Sequence, residues 1–257
     1  IRDRDDARYY SVLAGNVKKA FNKKFYNPET RSYGDFGSNI FALVLGVPDD
    51  RYDDVVATLK HEISVKYDNH LNTGIFGTQF FFETLALNGL NDIAYNAMNQ
   101  EDFPSFGNWI KQGATVTWEK WNGADSRNHP MFGGGLTWFY RILAGVNVDA
   151  ERPAYEHIII KPILDKRLPE VYYSHMTPYG EVVSEIRQTG RNLEMNVTVP
   201  VGSTATIYIP VGGNTSEVTE SGISVRDSKD VRFERIQDGN CIVRVPQGKY
   251  KFKVDNQ

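Results

Sequence analysis

Residues 38–63 read SNIFALVLGVPDDRYDDVVATLKHEI, and this stretch sets the rhythm of the first half of the chain. Gly46 and Pro48 stop a helix that runs from Ser38 to Leu45. Asp49 and Asp50 suit the start of the next, whose apolar positions Val55, Val56, Leu59 and Ile63 recur at helical spacing. Upstream, Tyr9, Leu13, Val17, Ala20 or Phe21, and Phe25 draw one apolar stripe along a helix. Downstream, helices are predicted over Thr78–Asn88, ended by Gly89, over Asp92–Asn99, and over Leu136–Ala144, closed by Gly145. The expectation is six helices in three pairs.

The connections alternate in length. Gly46–Asp49 and Gly89–Asn91 are tight, whereas Tyr26–Gly37, Tyr67–Gly77 and Gln100–Phe132 are long. In antiparallel helical hairpins alternate connections emerge at one end, so the three long loops are expected on one rim, where sites are usually built.

Past residue 150 the period falls to two. Leu193, Met195, Val197 and Val199 alternate with polar residues, as do Ala205, Ile207 and Ile209. Cys241, Val243 and Val245 repeat the pattern, and Tyr250, Phe252 and Val254 repeat it again. Turn signals punctuate these runs at Pro178-Tyr179-Gly180, Pro210-Val211-Gly212-Gly213, Asp238-Gly239-Asn240 and Gln247-Gly248. Short strands at this spacing predict an antiparallel β-sandwich. The two domains are therefore expected at 1–150 and 151–257, meeting near Val148–Pro153.

Composition narrows the function. The 257 residues carry 29 basic and 32 acidic side chains, a net charge of −3. That balance offers no basic field to a nucleic acid and no polybasic patch to a membrane. Mean hydropathy is −0.44, and no run approaches the roughly 20 apolar residues of a membrane helix. One cysteine, Cys241, excludes an intrachain disulfide framework and a cysteine zinc cluster. The opening IRDRDDARYY is no signal peptide and suggests a chain that begins partway through something longer.

The chemistry concentrates in the third long loop, FPSFGNWIKQGATVTWEKWNGADSRNHPMF at 103–132. Trp109, Trp118 and Trp121, three of the four tryptophans, fall within 13 positions. Glu119 sits between two of them, and His129 follows ten residues later. Aromatic faces beside a carboxylate suit a sugar, whose C–H face stacks while the acid handles a proton. The bland alternative, tryptophans as core anchors and Glu119 as a solvated loop residue, weighs about as much on composition alone. Asp125, Arg127 and Asn128 form a polar run that reads first as hydrated loop. His70 reads as structural and Asp35 as a turn residue. Gly133-Gly134-Gly135 lacks the lysine of a phosphate loop, His61 and Glu62 lack metal spacing, and no Gly-x-Ser-x-Gly elbow occurs.

GATVTWEKWNG at 113–123 and SRNHPMFGGGLTWFYRILAGV at 126–146 resemble the C-terminal stretch of bacterial α-L-rhamnosidases of glycoside hydrolase family 78. NHLNTGIFGTQFFFETLALNGLNDIAYN upstream resembles the same family, as do HIIIKP and VTVPVGSTATIYIP downstream. The resemblance implies the second half of an (α/α)6 barrel followed by a β-sandwich. It implies an inverting glycosidase acting on rhamnose-containing glycosides, with no metal and no organic cofactor. Glu119 stands where the family has its general base and His129 where a histidine contacts the sugar. Trp118 and Trp121 would line the pocket, with Asn128 as a further contact. The family's acidic motif, which supplies the general acid, has no counterpart here, so this chain alone is expected to be inactive. Ser38-Asn39 also replaces a threonine-glutamine pair common in the family. Three hairpins would leave an open half-barrel able to self-associate. The expected setting is periplasmic or extracellular rather than cytoplasmic. Two other readings stay open: a non-catalytic carbohydrate-binding fragment, and a different (α/α)6 exo-glycosidase or lyase.

Overall fold

The computed structural model describes residues 4–211 and 217–255, so Gly212 and Gly213 of the Pro210 turn lie outside the described residues. The chain divides into two compact units, Ile1–Gly135 and Leu136–Gln257.

In the first unit, α1 (Arg4–Phe25) carries Asp5 and Asp6 in its first turn and Lys23 and Lys24 in its last, which complements the helix dipole at both ends. Its predicted apolar stripe forms but faces outward. Tyr9 is 62% exposed, Val17 54% and Phe25 50%. Asp35 caps α2 (Phe36–Leu45) by accepting a hydrogen bond from the Ser38 N–H at 3.2 Å. Gly46 closes that helix at φ +97°, and α3 (Asp49–His61) runs on into a π-helical turn, Glu62–Lys66. The most buried helix is α4 (Ile75–Leu87), which packs on α2 and on α5 (Asn91–Met98). Phe81, Phe82 and Leu85 are its fully buried large apolar residues.

Two expectations about the helices need correction. The third long loop contains a short helix, α6 (Phe106–Lys111), whose Ser105 hydroxyl caps the Asn108 N–H at 2.9 Å. The predicted Leu136–Ala144 helix is instead a 3-10 stretch, Pro130–Leu136, followed by a π-helical turn, Trp138–Leu143. The glycines explain the first part. A Cβ on Gly134 would lie 2.8 Å from the Gln79 Cα of α4, and one on Gly135 would lie 3.0 Å from Phe82. The backbone is pressed onto α4 more closely than a side-chain-bearing helix allows.

Among the described residues, the second unit continues from that π-helical turn into eleven strands. They are β1 (Val146–Val148), β2 (His157–Ile160), β3 (Glu170–Thr177), β4 (Gly180–Thr189), β5 (Asn192–Val199) and β6 (Thr204–Pro210). Then come β7 (Glu217–Glu220), β8 (Ile223–Ser224), β9 (Arg232–Gln237), β10 (Asn240–Val245) and β11 (Gly248–Asp255). One sheet has the order β1-β2-β6-β10-β9 and the other β3-β4-β5-β11-β7-β8. Alternate residues of both sheets meet in one core, including Ile158, Ile160, Val182, Ile186, Met195, Val197, Ile207, Val243 and Phe252. Cys241 is buried there, and burial pushes its thiol up to about 11.

One strand pair breaks the antiparallel rule: β2 runs parallel to β6, with His157 opposite Thr204 and Ile160 opposite Ile207. The buried His157 imidazole is clasped by the Thr204 Oγ1 at 2.7 Å and the Thr206 Oγ1 at 2.8 Å. Burial, then the nearby Arg152 charge, holds its pKa below the ordinary value. The unfolded state therefore takes up the proton first. The stability this site contributes is present above about pH 6.5 and is lost as pH falls below it. In thermal melts from pH 7.5 down to 5, the protein should lose Tm more steeply than a His157→Gln variant. Parallel slopes would show that His157 does not carry the dependence.

Candidate functional site

The loop between α6 and the 3-10 stretch folds back on itself as a small two-armed hairpin. The Glu119 N–H donates to the Ser126 carbonyl at 2.8 Å and the His129 N–H to the Thr117 carbonyl at 2.9 Å. The Thr117 hydroxyl returns a bond to the His129 carbonyl at 2.5 Å. At the tip the Gly123 N–H donates to the Lys120 carbonyl, Gly123 and Asp125 both take left-handed φ, and Lys120 pairs with Asp125 at 2.5 Å. Folding therefore places residues ten apart in sequence, Glu119 and His129, on adjoining arms.

The side chains of Glu119 and His129 are each held by a main-chain group. The Ser126 N–H donates to the Glu119 Oε2 at 3.1 Å. The Met131 N–H donates to the His129 Nδ1 at 3.3 Å, which makes Nδ1 the acceptor and leaves the proton of a neutral ring on Nε2. Glu119 and His129 are both half-buried, while Asn128 and Arg127 are exposed. The Asn128 N–H and carbonyl are both tied to the Ser126 hydroxyl, at 3.3 and 3.2 Å.

The hairpin rests on an aromatic nest. Trp109 stacks on Trp121 at 4.4 Å between ring centroids, and Trp121 meets Phe132 at 4.4 Å and Phe106 at 5.3 Å. The Trp109 Nε1 donates to the Trp121 carbonyl at 2.8 Å, and the Trp121 Nε1 reaches the Thr73 carbonyl at 3.3 Å. Trp121 stays half-buried. Trp118 is only 3% exposed, packed on Trp109 and covered by the Arg127 guanidinium 4.6 Å above its ring. Its indole is part of the support rather than an open wall.

Thr73 brings in the second long loop, a contact for which only the neighbouring Gly74 and His70 gave a hint in the sequence. In that loop Asp68 and Asn69 both have left-handed backbone, at φ +45° and +59°. The His70 Nδ1 lies 3.1 Å from the Tyr67 carbonyl. Elsewhere in this unit the first long loop is tied to α2 and the end of α3 through Asn39 of α2, which is fully buried. It accepts from the Tyr33 N–H at 2.9 Å and donates to the Glu62 Oε2 at 3.2 Å. Burial pushes the Glu62 carboxyl above its ordinary range, partly offset by that Asn39 bond. Among the described residues, no cluster of three or more His, Cys, Asp or Glu could hold a metal ion. None of their helices is long and apolar enough to cross a membrane.

Residues 1–143 match the bacterial alpha-L-rhamnosidase 6 hairpin glycosidase domain, and residues 145–224 match the bacterial alpha-L-rhamnosidase C-terminal domain. An alpha-L-rhamnosidase from Formosa agariphila is 27% identical over 92% of this chain. The solved structure of alpha-L-rhamnosidase from Dictyoglumus thermophilum is 34% identical, with a TM-score of 0.87 over 98% of this chain and 29% of its own length. The Streptomyces avermitilis alpha-L-rhamnosidase complexed with L-rhamnose is 26% identical, with a TM-score of 0.82 over 97% of this chain and 24% of its own. The chain spans about a quarter of the length of the curated relatives it matches, 26% of the Formosa protein.

Proposed function

The chain belongs to the bacterial alpha-L-rhamnosidase family, and on that premise we infer that it forms the base-bearing part of an inverting α-L-rhamnosidase. The observation that carries the reading is the pairing of the 117–119 and 126–129 arms, which brings Glu119 and His129 onto adjoining arms over an aromatic support. The bond from the Ser126 N–H aims the Glu119 carboxyl. As a carboxylate it takes a proton from the water that attacks the anomeric carbon. Inversion needs an acid on the other face, roughly 6.5–9.5 Å from the base.

That acid we place outside these 257 residues, in a preceding part of the catalytic domain. The absence of a counterpart to the family's acidic motif supports the assignment, as does the quarter-length span of the match. His129, whose Nδ1 is taken by the Met131 N–H, donates its Nε2–H to a sugar hydroxyl. Trp121 contributes its exposed portion to the apolar face of the ring, Asn128 borders the sugar, and Trp118 keeps Glu119 in place from beneath. The outward stripe of α1 supports self-association when this chain is produced alone, which light scattering would register.

The test is the stereochemistry of the complete protein. With an aryl α-L-rhamnoside, proton NMR should record β-L-rhamnose as the first product, and other aryl glycosides should turn over far more slowly. This chain alone should hydrolyse the same substrate orders of magnitude more slowly, because protonation of the leaving oxygen is lost. A first product of α configuration, or preference for another sugar, would overturn the reading.

A further inference from the structure

Arg127 is an exposed residue on the second arm of the Glu119 hairpin, yet its guanidinium is committed at two points. Its Nε–H donates to the Gly123 carbonyl at 3.0 Å. Its central carbon lies 4.6 Å from the centre of the Trp118 ring. The two contacts reach different parts of the hairpin, since Gly123 lies at the tip and Trp118 precedes Glu119 on the first arm. An arginine can make both at once. Its planar group offers a face to the indole while its edge carries the N–H donors.

The backbone beneath is shaped to let these groups meet. Gly123 is buried, and a Cβ on it would lie 2.7 Å from the Trp118 ring and 3.2 Å from the Arg127 Nη2. Only a residue without a side chain leaves room for indole and guanidinium at that corner. A second link crosses the tip, the Lys120–Asp125 pair at 2.5 Å, but its side chains are 59% and 51% exposed. Ion pairs so open to water contribute little. The Arg127 contact differs, because it covers an indole that is buried.

Glu119 is tied to Ser126 twice, through its own N–H and through its Oε2. Ser126 adjoins Arg127 in the chain, and Trp118 adjoins Glu119. Arg127 therefore grips the first arm next to Glu119 from a position next to its partner on the second arm. We propose that Arg127 is a positioning residue, a clamp that pins Trp118 to the hairpin tip and so fixes the direction of the Glu119 carboxylate. In this role it neither contacts the sugar nor moves a proton. The effect on catalysis rests on the glycosidase reading above; the clamp on the hairpin does not.

The test is steady-state kinetics of the complete protein on an aryl α-L-rhamnoside, with amide hydrogen exchange of the 113–131 segment followed in parallel. Arg127→Met keeps the aliphatic stem and removes the guanidinium. Its kcat should fall about ten-fold, short of the roughly 10²-fold that a 1 Å misplacement can cost, while KM and Tm stay near wild type. Exchange of the Glu119 and His129 N–H groups, which bond across the arms, should quicken. Arg127→Lys should lose nearly as much, because a lysine can take the carbonyl or the ring but has no planar fork to take both. Asp125→Asn breaks only the exposed pair and keeps a residue that tolerates left-handed backbone, so its kcat should match wild type. Wild-type kcat in either Arg127 variant, an equal loss in Asp125→Asn, a rise in KM in place of the fall in kcat, or unchanged exchange would each overturn the proposal. Quickened exchange in Arg127→Met, in a protein whose wild type cleaves no rhamnoside, would support the clamp and refute the glycosidase reading alone.

Discussion

Glu119→Gln in the complete protein should lower kcat on an aryl α-L-rhamnoside by about 10²–10⁴-fold, the usual contribution of a positioned proton-transfer group. KM should change little. Glutamine keeps the size of the side chain and can still accept from the Ser126 N–H, which bonds Glu119 at 3.1 Å, so the hairpin stays folded while the base is gone. His129→Ala should behave differently. It removes a hydroxyl donor, so the loss should fall on kcat/KM with KM rising. Steady-state kinetics on the two variants separates the roles. A Glu119→Gln enzyme retaining more than about a tenth of wild-type kcat would remove Glu119 from the base position.

Gly123→Ala should be the most damaging change that leaves every reactive group in place. Gly123 has φ +72°, and a Cβ there would lie 2.7 Å from the Trp118 Cζ3 and 2.9 Å from its Cε3. Left-handed backbone costs an alanine about 1–2 kcal/mol. Displacing a buried indole adds about 1–3 kcal/mol. Because Trp118 adjoins Glu119, the carboxylate shifts with it, and a misplacement near 1 Å can cost about 10²-fold in rate. Gly113→Ala is the control: its φ is +82°, but nothing lies within 4 Å of the added methyl. It should lower Tm modestly and leave kcat/KM near wild type. Equal kinetics for the two alanine variants would mean that Trp118 does not hold the base.

The helices between Phe36 and Met98 were legible because Gly46, Pro48 and Gly89 punctuate them and because Leu59, Phe81 and Leu85 bury a periodic face. The α6 helix was not legible, since six residues containing Gly107 give too short a window for any period. The strand β4 hid for another reason. Its inward positions read Val182, Ser184, Ile186, and Ser184 breaks the alternation because its hydroxyl donates to the Ala144 carbonyl at 2.8 Å. The edge strand β3 is largely exposed and has little apolar alternation to read.

At the site, the cluster of Trp109, Trp118, Glu119, Trp121 and His129 was visible from composition and spacing. What spacing could not tell was how the three indoles divide their work. Trp118 goes under the hairpin and Trp121 to its side because of a main-chain carbonyl in another loop, that of Thr73. The tautomer of His129 likewise depends on the Met131 N–H, a backbone group that no residue-type pattern reports.

The parallel pairing of β2 with β6 has a consequence for biosynthesis. Strands β3 and β4 pair with their immediate successors, β4 and β5, so these three can zip together as they leave the ribosome. By contrast, His157 must wait for Thr204, 47 residues later. The entropy of closing a longer loop rises only slowly, about 0.6 kcal/mol per doubling, but distant pairing slows folding considerably. During that interval β2, with its run of three isoleucines, is a nascent strand with one edge unfilled. Such an edge is open to pairing with a neighbouring molecule, and a chaperone would usefully shield it.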